Sequence, residues 1–90
     1  MSQVTIPQLQ QMKCNDRKIV GVVAWDTHIA RIADRVGVEI LSVGDSVGIN
    51  LWGHLDPFEV TMDQMVIVAS AVRAGTKHAL VSCDLPFDPL

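Results

Sequence analysis

The spacing of hydrophobic and polar positions changes several times along the chain, and each change marks an element. Lys18-Ile-Val-Gly-Val-Val-Ala-Trp25 is a nearly unbroken apolar run, the pattern of a strand buried on both faces. From His28 the period lengthens. Ile29, Ile32, Ala33 and Val36 then share one helical face, and Arg31, Asp34 and Arg35 share the other. Gly37 supplies a left-handed cap, so a helix of about ten residues is predicted. Val38-Glu-Ile-Leu-Ser-Val43 reads as a second strand running into Gly44-Asp-Ser-Val-Gly48. After a loop, Thr61-Met-Asp-Gln64 is a capping box for a helix with Met62, Met65, Val66, Ala69 and Val72 as its core stripe, stopped at Gly75. His78-Ala-Leu-Val-Ser-Cys83 is the third strand, ending at Asp84-Leu-Pro86. Upstream, Thr5-Ile-Pro-Gln8 opens a short amphipathic helix with Leu9 and Met12, ended by Asn15 and Asp16.

Strands separated by helices are parallel neighbours joined by right-handed crossovers. The fold class is therefore α/β. Three strands with two crossover helices leave two open edges, and strands apolar on both faces need layers that these helices cannot supply. Residues 1–90 are accordingly expected to form a single incomplete domain: the βαβαβ opening of a (β/α)8 TIM barrel of about 250 residues, preceded by a short helix.

Composition narrows the function classes. With 7 Lys+Arg against 10 Asp+Glu, the formal net charge of −3 disfavours a nucleic-acid partner, and 49% hydrophobic residues exclude disorder. Charges or turn residues interrupt every apolar run before the roughly 18 to 20 residues a membrane span needs. Nor does the start carry a signal-peptide pattern, so no membrane role and a cytoplasmic location are expected. Cys14 and Cys83 lack CxxC spacing and read as free thiols.

Candidate chemistry is positional: Asp26, Asp45 and Asp84 each directly follow an apolar strand. In parallel α/β architectures that edge is where ligands bind, so three carboxylates are expected on one rim. For Asp26, which precedes a helix start, capping and catalysis are equally good readings. Two carboxylates with no adjacent cationic side chain repel each other unless a cation lies between them, and Mg²⁺ suits such a pair. The Gly44–Gly48 turn matches neither a dinucleotide fingerprint nor a phosphate-binding Walker loop, but it adds a hydroxyl and free backbone N–H groups. His28 and His78 read as solvated, His54 as a loop histidine with the best functional case of the three, and Trp25 and Trp52 as packing residues. Cys83 reads as a buried apolar thiol rather than a nucleophile because nothing basic flanks it.

Val23-Ala-Trp-Asp26, Val43-Gly-Asp-Ser-Val-Gly48, Val60-Thr61, Ala71-Val-Arg-Ala-Gly75 and Asp84-Leu-Pro-Phe87 together resemble the N-terminal third of the ketopantoate hydroxymethyltransferase family, within the phosphoenolpyruvate mutase/isocitrate lyase superfamily. The resemblance implies a cytoplasmic, oligomeric (β/α)8 enzyme. It would transfer a hydroxymethyl group from 5,10-methylenetetrahydrofolate to 3-methyl-2-oxobutanoate, a 2-oxo acid, in pantothenate biosynthesis. By motif, Asp45 and Asp84 would bind Mg²⁺ and, with Ser46, the substrate. Chelating a 2-oxo acid through its keto and carboxylate oxygens polarises the carbonyl and stabilises an enolate.

The resemblance also implies a catalytic base, a lysine and a further acidic metal-site residue beyond Leu90, so no catalytic residue is assigned within this chain. The family's loop of roughly Gly-His/Tyr-Asp-Ser-Thr-Leu-Pro-Val-Thr is here Gly53-His-Leu-Asp-Pro-Phe-Glu-Val-Thr61, and its tyrosine before Asp26 is Trp25. Two alternatives follow. One is another superfamily lyase or mutase acting on a 2-oxo acid; the other is a non-catalytic truncated chain that assembles with the remainder of the barrel or with other subunits.

Overall fold

The computed structural model describes residues 2–86. Helix α1 spans Ile6–Cys14, strand β1 Gly21–Val23, helix α2 Thr27–Val36, strand β2 Ile40–Val43 and helix α3 Val47–Trp52. A 3₁₀ turn at Pro57–Glu59 leads to helix α4, Met62–Ala74, and strand β3, Leu80–Cys83. The sheet has the order β1-β2-β3 and is parallel throughout, with Val22 opposite Leu41 and Leu41 opposite Val81. The α/β class and the parallel pairing of successive strands are as expected. None of the helices among the described residues is long and apolar enough to cross a membrane.

Local chemistry explains where the helices begin. Thr5 and Thr61 each cap a helix with the side-chain hydroxyl, while Gln8 and Gln64 reach back to the cap residue's own N–H. Each box satisfies two backbone donors that a helix start leaves open. Gly37 takes the left-handed conformation (φ 99°) that ends α2. Helix α3 replaces part of an expected loop. Val47, Gly48, Ile49 and Asn50 are weak helix formers, but Gly53 at φ 72° donates its N–H to Ile49 and His54 donates to Gly48. That paired closure satisfies the last carbonyls of the short helix.

The core lies between the sheet and the pair α2/α4. Leu41 and Val43 of β2 meet Ala30 of α2 and Met65, Val68 and Val72 of α4, all at most 1% exposed. Three sequence expectations change here. Strand β1 is shorter than the apolar run and is covered on one face only: Val22 packs against the core, whereas Val23 is 59% exposed. In α2 the large apolar residues Ile29, Ile32 and Val36 face outward, and the face toward the core is Ala30, Ala33 and Asp34. Small residues are needed there because α4 crosses close by. A Cβ on Gly75 would strike the Thr27 carbonyl and lie 3.1 Å from the Arg31 nitrogen, and Thr27 Oγ1 donates to the Ala71 carbonyl at 2.8 Å. In α4 the buried stripe is Met65, Val68 and Val72, while Val66 is exposed.

Asp34, expected on the polar face of α2, is 6% exposed. Its carboxylate accepts backbone N–H groups from Lys77 (2.9 Å), His78 (3.0 Å) and Ala79 (2.8 Å). Burial raises its pKa, but those three donors and the charge of His78 outweigh burial and leave it below the ordinary 3.8. The start of β3 is thereby tied to α2.

Candidate active-site rim

Because the strands are parallel, β1, β2 and β3 deliver Asp26, Asp45 and Asp84 to one edge, as their positions in the sequence implied. The three then diverge in local role. Asp26 caps α2, its carboxylate accepting the Ile29 N–H at 2.7 Å, so the capping reading of this residue is the one the structure shows. It also borders a cavity of about 250 Å³ with Val23, Ala24, Trp25 and Ile29.

Asp45 and Asp84 come together across 39 residues of sequence. Asp84 Oδ2 accepts the Asp45 backbone N–H at 3.2 Å. Gly44 leaves room beside them: from the point a Cβ would occupy there, Ser46 Oγ is 3.6 Å and Asp84 Oδ2 3.7 Å away. Ser46 begins α3, but its hydroxyl makes no capping bond and is exposed to solvent. The N–H groups expected to be free in this turn are taken up: Val47, Gly48 and Ile49 donate back to the carbonyls of Gly44, Asp45 and Ser46 at 3.0–3.1 Å, and Asp45 donates to Asp84. The donor types suit a hard divalent cation: carboxylates and a hydroxyl, all oxygen, leave coordination positions for water or substrate oxygens. Among the described residues, no group of three or more His, Cys, Asp or Glu side chains gathers in a metal-binding arrangement, and the contact that joins the two aspartates runs from the Asp45 backbone to the Asp84 carboxylate.

The neighbouring residues take simpler parts. Cys83, expected to be buried, is exposed; partial desolvation of its sulfur first and the adjacent Asp84 second still push its thiol up, away from nucleophilic use. His28 is exposed, as expected. His78 is not simply solvated: it is partly buried, and its Nδ1 lies 2.6 Å from the Ser2 carbonyl. His54 lies in the loop after α3, stacked on Trp52 with ring centroids 6.5 Å apart. A larger cavity, about 450 Å³, lies at the other end of the strands between α1 and Gly37, Glu39 and His78, and none of the three aspartates borders it.

Sequence reasoning missed the contact between Asp84 and the Asp45 backbone, and the helix that begins at the Gly44–Ser46 turn. The repeated glycines at 44, 48 and 53 were the available signal. Phe87, the last residue of the Asp-Leu-Pro-Phe pattern, lies outside the described residues.

With this geometry in place, comparison with known proteins is decisive. The profile of the family described as ketopantoate hydroxymethyltransferase matches residues 3–90. The chain belongs to that family. It is 45% identical over 84 residues to the 3-methyl-2-oxobutanoate hydroxymethyltransferase of Thermosynechococcus vestitus, an alignment covering 93% of this chain and 32% of that protein. The protein of the same name from Rhodopirellula baltica is 42% identical over 86 residues, covering 96% and 32%. That from Aeromonas salmonicida is 38% identical over 87 residues, covering 97% and 33%. The chain thus spans about a third of the length of these relatives, and the rim described above falls within that third.

Proposed function

We propose that this chain is the opening βαβαβ part of a (β/α)8 hydroxymethyltransferase that converts 3-methyl-2-oxobutanoate to ketopantoate with 5,10-methylenetetrahydrofolate as one-carbon donor. The observation that carries this reading is the meeting of Asp84 with the Gly44-Asp45-Ser46 turn at the carboxyl edge of a parallel sheet, in a chain of this family. Asp45 and Asp84 would hold Mg²⁺, which when bound supplies Lewis-acid polarisation of a 2-oxo acid's carbonyl. Ser46 places a hydroxyl where it would orient the substrate carboxylate. Helix α3 begins at the same place, directly after Asp45 and Ser46. Asp26 stays engaged as a cap and shapes the cleft beside Trp25. The proton-abstracting base and a further acidic residue would come from the remainder of the barrel. That remainder would also cover the outward faces of α2 and β1, in an oligomeric cytoplasmic enzyme.

The test is an assay of the complete protein on 3-methyl-2-oxobutanoate with Mg²⁺, with and without methylenetetrahydrofolate. Ketopantoate should form only when the folate is present. Folate-independent cleavage of a 2-oxo acid would instead identify a lyase of the wider superfamily, a reading favoured only by the altered 54–59 loop. Asp45→Asn should weaken metal and substrate binding together, because the chelate needs both; calorimetry of each ligand separately checks this.

A further inference from the structure

His54 carries a buried Nδ1 that has no hydrogen-bond partner among the described residues, and the groups around it define what the ring does. Gln64 Oε1 is committed to the Thr61 N–H at 3.0 Å as half of the capping box. Its amide nitrogen must therefore point the other way, where it meets His54 Nε2 at 3.5 Å. An NH₂ group only donates, so Nε2 has to accept, and the neutral ring carries its proton on Nδ1. That nitrogen sits over Gly48, at 2.9 Å from where a Cβ would be. Gly48 in turn donates to the Asp45 carbonyl at 3.1 Å and accepts the His54 N–H at 3.0 Å. One side of the ring stacks on Trp52 at the end of the same short helix.

We propose that His54 is the positioning residue of the Asp45 turn: fixed in one tautomer by Gln64 and seated on Gly48, it anchors α3 to α4 and so sets the direction in which Asp45 and Ser46 offer their oxygens. The inference rests on the proposed metal-binding role of that turn, and it assigns a task to a loop histidine that the chemistry itself does not use. It also explains why a chain of weak helix formers holds its shape beside the rim. The capping glutamine of α4 serves two ends at once.

Two measurements on the complete protein decide it. The first is ¹⁵N-histidine NMR at alkaline pH. Wild type should show Nδ1 protonated and Nε2 bare. Gln64→Glu keeps the capping box but replaces the donor by an acceptor, and it should move the proton to Nε2. A wild-type ring protonated on Nε2 overturns the proposal, and this arm needs no variant that disturbs packing. The second is calorimetric titration with Mn²⁺ in the absence of substrate. His54→Ala should lower the affinity about tenfold, the lower end of what outer-sphere partners contribute to metal sites. Gly48→Ala should also lower it, by driving a methyl into the ring and against Val60 Cβ, 3.1 Å from the same point. Wild-type binding that His54→Ala leaves unchanged overturns the positioning role alone, whereas no Mn²⁺ binding by wild type overturns the metal reading beneath it.

Discussion

At the scale of single residues, the most consequential side chain outside the rim is Asp34, which links α2 to the start of β3 through three backbone donors. Removing it strands the buried Ala79 N–H and the partly buried N–H groups of Lys77 and His78, and a buried unmet donor costs about 1–3 kcal/mol. Asp34→Ala should therefore destabilise the protein by about 3 kcal/mol or more in urea unfolding, and Asp34→Asn by less, because one oxygen remains. The pH dependence follows from the lowered pKa. A carboxyl whose folded value lies below its unfolded value contributes stability above the unfolded value and loses it as pH falls through the folded one. The Asp34 contribution should be intact at neutral pH, begin to fail below about pH 4, and be absent from Asp34→Asn. Urea midpoints of the two proteins that converge on acidification would bear this out; parallel curves would refute it.

At the scale of elements, the crossing of α2 over α4 depends on what is missing from Gly75. The residue is not left-handed (φ −92°), so its lack of a Cβ matters for distance rather than for backbone conformation. Gly75→Ala would force the Thr27 and Arg31 backbone away and disturb the bond from Thr27 to Ala71. Overpacking of this kind costs about 1–3 kcal/mol, and the backbone on the other side cannot yield as a flexible side chain would. The expected loss is at the upper end of that range in thermal unfolding. An unchanged melting temperature would mean that the helices are held apart by something other than this glycine.

At the scale of the whole molecule, the apolar surface left open is large: Ile32, Val36, Val23 and Ile67 are each at least 59% exposed. Large apolar side chains left this open on a small chain favour contacts with other protein. Residues 1–90 on their own should self-associate, visible as concentration-dependent sedimentation. A monodisperse monomer would contradict this. Under the proposed function, the isolated chain should also fail to exchange the C3 proton of 3-methyl-2-oxobutanoate in D₂O with Mg²⁺, because its rim carboxylates would be occupied with metal and its His54 with packing. Deuterium uptake by the complete protein, and none by residues 1–90, is the outcome expected from NMR.

What the sequence determined by itself was whatever short-range chemistry decides: the capping boxes at Thr5 and Thr61, the left-handed cap at Gly37, the apolar runs that became strands, and the placing of Asp26, Asp45 and Asp84 at strand ends. Parallel order then put those three on one edge, because crossover helices permit little else. Which face of α2 turns inward was set by packing. Periodicity locates an apolar stripe but not the partner it meets, and close approach to α4 selected Ala30 and Ala33 while leaving Ile29, Ile32 and Val36 outside. The same holds for Asp34, whose burial depends on three N–H groups more than forty residues away. It holds for α3 as well, which exists because its two ends are satisfied by Gly53, His54 and the Gly44 turn, although its own residues favour helix weakly. Likewise, Asp84 reaches the Asp45 backbone only once β2 and β3 are in register, a pairing that no local pattern encodes.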